Sequence, residues 1–531
     1  MSLPDIFNAA TYFVDRHLAE GRANKIAIEC GDERVTYGQV AERTNRFANG
    51  LRRLGLQPEQ RIVLLLLDSP AFAYSFFGAI KAGLVPVPLN TMWRARDYQY
   101  ALQDSGARAI VISEALLREF EAIDRSALSR LDHVIVTTPT GTVRPLGASV
   151  VGRPPQGATA FDELLSASSP ECEAERTHRD AMAFWLYSSG STGAPKGCVH
   201  LQHDMVVCAQ SYAIEVLGMR ESDRCFSAAK LFFAYGLGNA LYMPFAVGAT
   251  SILLPDPPTA PRVYDIIARY RPTLFFSVPT NYGMLLAHPP GQPDFDLSSV
   301  RHAVSAGEAL PEPLYRRFKD RFGLEILDAI GSTEVLHMFI ANRPAAVRAG
   351  SSGQLVPGYD ARIVDDDDRP VPDGEMGNLL IKGDSTCAFY WNQHEKTKQT
   401  IQGEWIRTGD KYTRDADGYY WYAGRTDDML KPGGIFVSPI EIESALIAHD
   451  AVLECAVVGR EDNDGLVKPF AYVVLKAGTT GTPQLAEALQ QFVRSRLPDY
   501  KRPRGVEFVP DLPKTATGKL QRFKLRDAQS R

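Results

Sequence analysis

Residues 61–89 read RIVLLLLDSPAFAYSFFGAIKAGLVPVPL, and this stretch decides the fold class. Residues 62–67 form a short, continuous apolar run, which is typical of a strand buried on both faces. A helix-length segment over 71–81 follows, and after Gly83 comes a second apolar run. Strand, helix and strand in this order predict a parallel sheet covered by helices. Asp68-Ser69-Pro70 interrupts the stretch too early for a membrane-spanning helix.

The same alternation recurs along the chain. Apolar runs at 107–113, 249–255 and 272–278 predict further strands, and Thr36 can cap a helix that Gly55 ends. From about residue 350, short strands alternate with Gly, Pro and Asp turns, which predicts a β-rich subdomain. The last hundred residues predict a small α+β domain, with a helix that starts at Thr482-Pro483. We therefore predict an α/β fold with a large N-terminal domain of parallel sheets.

Composition and charge describe an ordinary globular protein. A chain of 531 residues can hold about two to four domains. Its net charge of −5 and pI near 6.1 provide no electrostatic footprint for nucleic acid or an acidic membrane. The seven cysteines are odd in number and scattered, so they predict no disulfide framework, and the first residues lack a secretory apolar region. We expect a reduced, cytoplasmic, soluble protein without nucleic-acid or membrane partners.

A loop rich in glycine and hydroxyl groups, YSSGSTGAPKG at 187–197, directly follows the apolar run AMAFWL. Successive small residues can turn several backbone N–H groups into one concavity that binds phosphate oxygens. A Walker A loop is excluded because Pro195 stands where its second glycine belongs, and a G-x-S-x-G elbow because Ser189 replaces its first glycine. We predict a phosphate-binding loop rather than a flexible surface loop. Its side-chain donors are Ser188, Ser189, Ser191, Thr192 and Lys196.

Two other clusters contain residue types that bind metals. Residues 365–368 are four aspartates between predicted strands, which favours a solvated turn over a metal site. Cys198, His200, His203 and Cys208 follow the loop into a predicted helix, and their spacing matches no standard zinc pattern. We therefore favour a structural interpretation of both clusters.

The glycine-rich loop resembles the phosphate loop of the acyl-adenylate-forming (AMP-binding) superfamily, which includes acyl- and aryl-CoA synthetases, peptide-synthetase adenylation domains and firefly-type luciferases. Further signatures of this superfamily follow in order: SAGEAL (305–310), DAIGSTE (328–334), WIRTGDKY (405–412), GRTDDMLKPGG (424–434) and PKTATGKLQR (513–522). FFAYGLGN, GCVHLQHDM and GSTEVLHM are most similar to the benzoate-CoA ligase branch. The resemblance covers nearly the whole chain. It implies an N-terminal domain over 1–424 (β-rich at about 350–424), a hinge at 425–428 and a mobile C-terminal α+β domain over 429–531.

This resemblance implies roles in binding ATP and Mg²⁺. Thr333 matches a contact to the α-phosphate and Glu334 a magnesium ligand, although Thr-Glu alone equally starts a helix. Asp410 and Arg425 match residues that hold the ribose, although a salt bridge between them is the simpler alternative. Lys519 matches the residue that stabilises charge at the α-phosphate during adenylation. The other implied positions are Lys196, Ser188, Ser189, Gly190, Ser191, Thr192, Gly193, Ala306, Gly307, Glu308, Asp328, Ala329, Ile330, Gly331 and Ser332.

The resemblance also implies a site for CoA. Asp427 matches a hinge residue about which the C-terminal domain alternates between two orientations. One orientation brings Lys519 to the adenylate. The other lines the pantetheine tunnel with Lys431, Gly433 and Gly434, a strip that would serve equally as a simple turn. The CoA nucleotide would contact Tyr500 and Arg502, whereas an aromatic stacking partner is missing near residues 465–466.

An aromatic acid is the implied second substrate. Ala234 stands where amino-acid-activating relatives place an aspartate, which disfavours an amino acid. The aromatic residues of this segment, such as Phe233 and Tyr235, could equally belong to the ordinary core. The implied pocket contains Phe233, Ala234, Tyr235, Ala306, Gly307, Gly331, His337 and Met338.

Together, these matches imply an ATP- and Mg²⁺-dependent ligase that adenylates benzoate, or a close substituted benzoate, and transfers the aryl group to CoA. An enzyme that loads a carrier-protein phosphopantetheine arm is the alternative in the same class. A nucleotide-binding module without chemistry is the alternative in another class, and the intact Lys519 and Glu334 oppose it. Further partners that we consider are a second copy of the chain and a lysine acetyltransferase and deacetylase acting on Lys519.

Overall fold

The stretch that decides the fold class forms the predicted strand, helix and strand. The computed structural model describes residues 3–138, 157–188, 194–291, 294–430, 437–461, 467–514 and 520–527. Strands Arg61–Leu65 and Val85–Pro88 pair in parallel, and helix Pro70–Lys81 connects them. The helix is almost entirely buried, because helix Tyr37–Arg53 covers its outer face. Gly78 permits this contact, since a Cβ there would lie 2.8 Å from the ring of Phe47.

Two mainly parallel sheets form the N-terminal part, which confirms the predicted α/β class. The first sheet has six parallel strands in its centre and antiparallel strands at both edges. Its spatial order is Gln354–Leu355, Met338–Ala341, Ile326–Gly331, His302–Ser305, Leu274–Ser277, Arg224–Ser227, Thr250–Ile252, Ile26–Cys30 and Glu33–Thr36. The second sheet is parallel throughout. Its order is Val85–Pro88, Arg61–Leu65, Ala109–Ser113, His133–Thr137 and Thr159–Ala160.

Antiparallel sheets make up the predicted β-rich region. Strands Asp360–Val364, Gly377–Lys382, Trp405–Arg414 and Ile401–Gln402 form one sheet, and Tyr420–Arg425 pairs with Trp405–Arg414. The aspartate run is the predicted turn, because Asp365 Oδ1 accepts from the backbone N–H groups of Asp367 (2.8 Å) and Arg369 (2.9 Å). Near the C-terminus, strands Val452–Glu461, Val467–Leu475 and Gly505–Phe508 form a separate sheet with its own apolar cluster.

A three-stranded antiparallel sheet corrects one expectation. Residues 196–201, which we expected to run into a helix, form strand Lys196–Leu201, and helix Asp204–Cys208 begins only afterwards. This strand pairs with Met182–Ser188 on one side and with Phe389–Tyr390 on the other. Residues 197–200 are all buried, and a strand between two partners can bury consecutive residues on both faces.

Helices cover the sheets, and short helical turns join them. The α-helices are Arg16–Ala19, Tyr37–Arg53, Pro70–Lys81, Ala95–Ser105, Leu117–Glu121, Phe161–Ser166, Asp204–Cys208, Ala234–Leu237, Met243–Val247, Ala260–Tyr270, Pro279–Ala287, Glu312–Phe322, His394–Thr400, Pro439–Ile447, Pro483–Arg494 and Arg522–Asp527. The π-helical turns are Thr11–Asp15, Ala209–Ile214 and Gly238–Tyr242. The 3₁₀ turns are Glu114–Leu116, Arg125–Ala127, Thr333–Val335, Thr426–Asp428 and Asp499–Lys501.

Sequence signals at two helix starts are confirmed. The side chain of Thr36 accepts from the backbone N–H of Gln39, and the Gln39 side chain accepts in return from the N–H of Thr36. Thr482 caps helix Pro483–Arg494 in the same way through the N–H of Leu485. All seven cysteines carry free thiols. Among the described residues, every helix is too short or too polar to cross a bilayer.

Candidate active site

The phosphate-loop segment connects two strands of an antiparallel hairpin. Ser188 and Lys196 lie opposite each other at the open end of strands Met182–Ser188 and Lys196–Leu201. Helix Ala95–Ser105 contacts the end of the loop, because the Tyr100 hydroxyl donates to the Pro195 carbonyl at 3.1 Å. Residues 189–193 lie outside the described residues, so the contacts predicted for Ser189, Gly190, Ser191, Thr192 and Gly193 stay predictions.

Glu334 lies beside the base of this hairpin. It belongs to the turn Thr333–Val335, which Ser332 caps by accepting from the N–H of Val335 at 3.3 Å. Glu334 Oε1 accepts hydrogen bonds from the hydroxyls of Tyr390 (2.8 Å) and Ser188 (3.3 Å). The structure therefore brings together Ser188 and Glu334, which belong to two distant sequence motifs.

Tyr390 is a site residue that the sequence analysis missed. It pairs with Cys198 across the strand, and the ammonium of Lys196 lies 4.6 Å from the centre of its ring. Burial and the neighbouring Glu334 carboxylate raise the pKa of Tyr390, so the hydroxyl keeps its proton at neutral pH. Its sequence signal is the short aromatic run CAFYWN (387–392), which by itself does not indicate its partner. Tyr390 thus contacts both Glu334 and Lys196, and each of these is a predicted site residue.

The surroundings of Glu334 fit the predicted magnesium ligand. The carboxylate is half-buried, and within the described ranges it forms no salt bridge. Those ranges also contain no group of three or more His, Cys, Asp and Glu residues that could hold a metal ion. The four residues Cys198, His200, His203 and Cys208 therefore do not form such a group either. Mg²⁺ commonly takes one or two carboxylates together with phosphate oxygens and water. Glu334 next to a phosphate loop therefore suits Mg²⁺ bound with a nucleotide better than it suits zinc.

The segments predicted to flank adenine lie side by side. Ser305 and Asp328 are neighbours on parallel strands, so residues 306–308 and 328–331 meet at the carboxyl edge of the first sheet. Gly307 has a φ of +87°, which glycine adopts without strain. Glu308 accepts from the Thr280 hydroxyl at 2.9 Å. Burial raises the pKa of Asp328 well above its usual value.

The predicted ribose pair forms a salt bridge. Asp410 and Arg425 lie opposite each other on adjacent strands, and Arg425 Nη1 is 3.0 Å from Asp410 Oδ1. The same nitrogen donates to the carbonyl of Thr408 at 2.9 Å. The simpler alternative is therefore present in the structure, and contact of this pair with a ribose stays a prediction.

Two of the predicted acyl-pocket residues, Gly331 and Tyr235, lie next to His337. A Cβ on Gly238 would lie 2.5 Å from the His337 ring, and a Cβ on Gly331 would lie 2.5 Å from the His337 carbonyl oxygen. The Tyr235 ring is 5.9 Å from that of His337, and its hydroxyl donates to the carbonyls of Ser277 (3.2 Å) and Val304 (3.1 Å). The structure thus places Tyr235 and His337 at the carboxyl edge of the first sheet.

The other pocket residues lie on the same elements. Phe233 precedes helix Ala234–Leu237, and its ring is 4.2 Å from that of Phe232. Met338 pairs with Gly331, and Ala306 is buried directly after strand His302–Ser305. Burial lowers the pKa of His337 to about 3, so the ring is neutral at pH 7. A neutral imidazole has one donor and one acceptor nitrogen and adds no charge among the aromatic rings.

Several predicted residues lie beyond what the structure describes. Lys519, Lys431, Gly433 and Gly434 are outside the described ranges, as are the side chains of Asp427 and Tyr500. Next to the predicted hinge, Asp428 accepts from Arg522 (3.4 Å) and lies 3.2 Å from Arg526. Arg502 is turned toward Asp499, with Nε at 3.0 Å from Oδ1. The assigned roles in adenylation, in the hinge and in CoA binding therefore stay predictions.

Comparison with known protein families gives two matches. A family model described as AMP-binding enzyme matches residues 15–391, and one described as AMP-binding enzyme C-terminal domain matches residues 441–519.

Comparison with individual proteins gives similarity over the full length. The benzoate–CoA ligase of Thauera aromatica is 48% identical over 530 residues, which cover 99% of this chain and 97% of that protein. A crystal structure of the anthranilate CoA ligase AuaEII in complex with anthranoyl-AMP has a TM-score of 0.93 at 43% identity, covering 99% and 98% of the two chains. A benzoate CoA ligase from Burkholderia xenovorans LB400 has a TM-score of 0.87 at 47% identity, covering 98% and 100%.

Proposed function

Because the chain belongs to the family of AMP-binding enzymes, we propose that it converts benzoate, or a close ring-substituted benzoate, into its CoA thioester. The reaction uses ATP and releases AMP and pyrophosphate. The observation that carries this proposal is the 48% identity to a benzoate–CoA ligase across 99% of the chain. The convergence of Ser188, Lys196 and Glu334 supports it independently, because it provides hydroxyl, cationic and carboxylate groups beside a phosphate loop.

The chemistry proceeds in two steps. A carboxylate oxygen of the acid attacks the α-phosphorus of ATP, the bond to pyrophosphate breaks, and an aryl-AMP anhydride forms. The CoA thiol then loses its proton to water, its sulfur attacks the carbonyl carbon of the aryl-AMP, and the bond to AMP breaks. The first step joins anions, so catalysis depends on positioning and on positive charge near the developing negative charge. Lys196 and Lys519 supply that charge in our assignment, with Glu334 holding Mg²⁺, which offsets the charge of the phosphates when bound.

The two steps need two arrangements of the C-terminal domain. We assign residues 1–424 to the N-terminal domain, 425–428 to a hinge at Asp427, and 429–531 to the C-terminal domain. The separate sheet over 452–508 and its apolar cluster, which begins at Leu430, support this division, as do the two family models that match 15–391 and 441–519. In this assignment, one arrangement delivers Lys519 to the acid and ATP, and the other lines the CoA path with Lys431, Gly433 and Gly434. A homodimer and acetylation of Lys519 stay predictions.

Pyrophosphate exchange tests the first step. Purified protein with ATP, Mg²⁺ and benzoate is expected to exchange labelled pyrophosphate into ATP, and this exchange is expected to depend on the acid. A panel containing benzoate, 2-aminobenzoate and 4-hydroxybenzoate identifies the preferred ring. Absence of exchange with every aromatic acid in a folded, ATP-binding protein would refute the proposal.

Addition of CoA alone tests the second step. We expect aryl-CoA without any carrier protein, since free CoA is the proposed acceptor. Thioester formation only with a phosphopantetheinylated carrier protein would instead identify the carrier-loading enzyme.

A further inference from the structure

His200 is a completely buried residue to which none of the roles above applies. It lies on strand Lys196–Leu201, and its ring stacks on Phe184 with 5.3 Å between ring centres and an interplanar angle of 22°. Its Nε2 is 2.8 Å from the backbone carbonyl oxygen of Thr333. Its Nδ1 is 2.8 Å from Oδ2 of Asp204, whose side chain is also fully buried. Both ring nitrogens therefore have a protein partner.

The partners define how the ring is oriented. A carbonyl oxygen only accepts hydrogen bonds, so Nε2 of His200 must carry the hydrogen that is donated to Thr333. Asp204 is fixed in turn, because its Oδ2 also accepts from the backbone N–H of Leu201 at 3.1 Å. A second hydrogen, carried by Nδ1 of His200 or by Oδ2 of Asp204, makes their contact a hydrogen bond, because two bare acceptors 2.8 Å apart would repel each other. Asp204 thus holds the imidazole in the orientation that reaches Thr333, much as carboxylates orient histidines next to metal sites.

The carbonyl of Thr333 belongs to the peptide that connects Thr333 to Glu334. Donation from His200 fixes the plane of this peptide. On the other side, the Glu334 carbonyl accepts from the backbone N–H of Cys387 at 2.7 Å, and the Glu334 carboxylate accepts from Tyr390 at 2.8 Å. The predicted α-phosphate contact and the predicted magnesium ligand are therefore held at three points.

The hairpin that carries the phosphate loop also carries His200. Lys196, at the end of the loop, and His200 lie on the same strand, four residues apart. A single strand therefore connects the end of the loop to the residue that hydrogen-bonds the Thr333–Glu334 peptide. We propose that His200, oriented by Asp204, is a positioning residue that sets where Glu334 and Thr333 stand relative to the phosphate loop. This proposal rests on the proposed function, since it assumes that the site binds Mg²⁺ and ATP.

Two substitutions at His200, to glutamine and to asparagine, distinguish a role in positioning Thr333 and Glu334 from a role in core stability alone. The amide nitrogen of glutamine can occupy the place of Nε2, whereas that of asparagine reaches only the place of Nδ1. Both lose the ring that stacks on Phe184. His200→Gln therefore keeps a donor for the Thr333 carbonyl, and His200→Asn leaves this carbonyl without a donor.

Calorimetric titration with ATP provides a readout besides activity. For His200→Asn we expect the affinity for ATP in excess Mg²⁺ to fall about 10-fold, because a buried hydrogen bond is lost at the metal-holding peptide. The affinity for ATP in excess EDTA should fall less, by under about 3-fold, since Glu334 then holds no metal and only the Thr333 contact to the α-phosphate is affected. His200→Gln should recover most of the Mg²⁺-dependent affinity. Equal losses in Mg²⁺ and in EDTA, or equal losses in both variants, would overturn the proposal.

The two half-reactions give the second readout. In His200→Asn we expect benzoate-dependent pyrophosphate exchange to fall about 10- to 100-fold, as a small displacement of a positioning group can cause. Thioester formation from supplied benzoyl-AMP should fall less, by under about 5-fold, because this substrate keeps the α-phosphate that Thr333 contacts but lacks the β- and γ-phosphates that bind the metal. Equal loss of both half-reactions would indicate general damage and would contradict the proposal.

A milder variant covers the case in which His200→Asn does not fold. Asp204→Asn preserves shape but removes the carboxylate that orients the imidazole, and we expect the same pattern at about 3- to 10-fold. An unchanged Mg²⁺-dependent affinity in this variant would also overturn the proposal. Failure of the proposed function is distinguishable, because wild-type protein would then show no acid-dependent exchange at all.

Discussion

The phosphate side and the acyl side of the proposed site surround a buried histidine differently. On the phosphate side, both ring nitrogens of His200 lie 2.8 Å from protein oxygen atoms, and the hydroxyl of Tyr390 donates to Glu334. On the acyl side, His337 lies among aromatic rings, and the centre of its ring is 5.2 Å from that of Tyr212, 5.9 Å from that of Tyr235 and 6.4 Å from that of Tyr242. Burial lowers the pKa of His337 to about 3.

This difference separates a region oriented by hydrogen bonds from one shaped by the packing of rings. Hydrogen bonds are directional, so they hold the Glu334 carboxylate in a defined orientation, and preorganised polar groups are what electrostatic catalysis requires. Contacts between rings are less directional, so a change of ring alters the shape of the acyl side without leaving a hydrogen bond unmade. We therefore expect enzymes for differently substituted rings to differ more on the acyl side than on the phosphate side.

The largest expected effect concerns charge that the phosphate side receives from the C-terminal domain. Lys519→Ala should reduce benzoyl-AMP formation about 100- to 1,000-fold, because the positive charge at the α-phosphate is lost. Thioester formation from supplied benzoyl-AMP should remain nearly unchanged. Lys524→Ala, at an exposed lysine in the same domain, is the matched control and should change neither rate. Equal loss of both half-reactions in a folded Lys519→Ala protein would contradict the assignment.

A smaller effect tests whether the phosphate side depends on its hydrogen bonds. Tyr390→Phe removes the donor to Glu334 but keeps the ring beneath Lys196, so we expect the adenylation rate to fall about 10-fold. Stopped-flow or exchange kinetics at saturating benzoate measure this change. Tyr315→Phe is the control, because it removes a similar hydroxyl, 3.0 Å from the carboxylate of Glu325, on helix Glu312–Phe322 outside the site. If the two variants lose activity equally, Tyr390 has no special relation to the site.

The smallest effect concerns protonation on the acyl side. The pKa of His337 is about 3 in the folded protein, against 6.5 for an exposed histidine, so acid favours the unfolded chain. The contribution is fully present above pH 6.5 and is lost as the pH falls toward 3. Between pH 6.5 and 5.5, the free energy of unfolding should fall by about 1 kcal/mol less in His337→Gln than in wild type.

Denaturant titrations at these two pH values measure that difference. Between pH 7.5 and 8.5 the two proteins should show parallel behaviour, because histidine is neutral in both states there. The same acid slope in both proteins would mean that His337 is not held neutral by burial, and the contrast between the two sides would lose its main support.

Local sequence signals predicted the framework well. The apolar run at 62–67, the cap at Thr36 and the helix start at Thr482 depend on neighbours within a few residues, so the sequence contains the necessary information. The proximity of Ser188 and Glu334 was inferred from resemblance, since 146 positions separate them.

Long-range contacts were not predictable in this way. His200 and the Thr333 carbonyl are 133 positions apart, and no periodicity or spacing indicates their hydrogen bond. Tyr390 appeared as one aromatic residue in a short run, and only the pairing of strands Lys196–Leu201 and Phe389–Tyr390 connects it to Glu334. The strand at 196–201 was missed for the same reason, because its second partner lies far along the chain.

That late strand has a consequence for biosynthesis. Until Phe389–Tyr390 has left the ribosome, strand Lys196–Leu201 keeps one edge without its partner. At about 5–20 residues per second, translation from Leu201 to Tyr390 takes about 10 to 40 s. During that interval, the nascent hairpin presents unpaired backbone N–H and carbonyl groups, the kind of edge that recruits other strands. A pause or truncation upstream of residue 389 therefore leaves the hairpin of the predicted phosphate loop with an unpaired strand edge, which can pair with other strands unless a chaperone covers it.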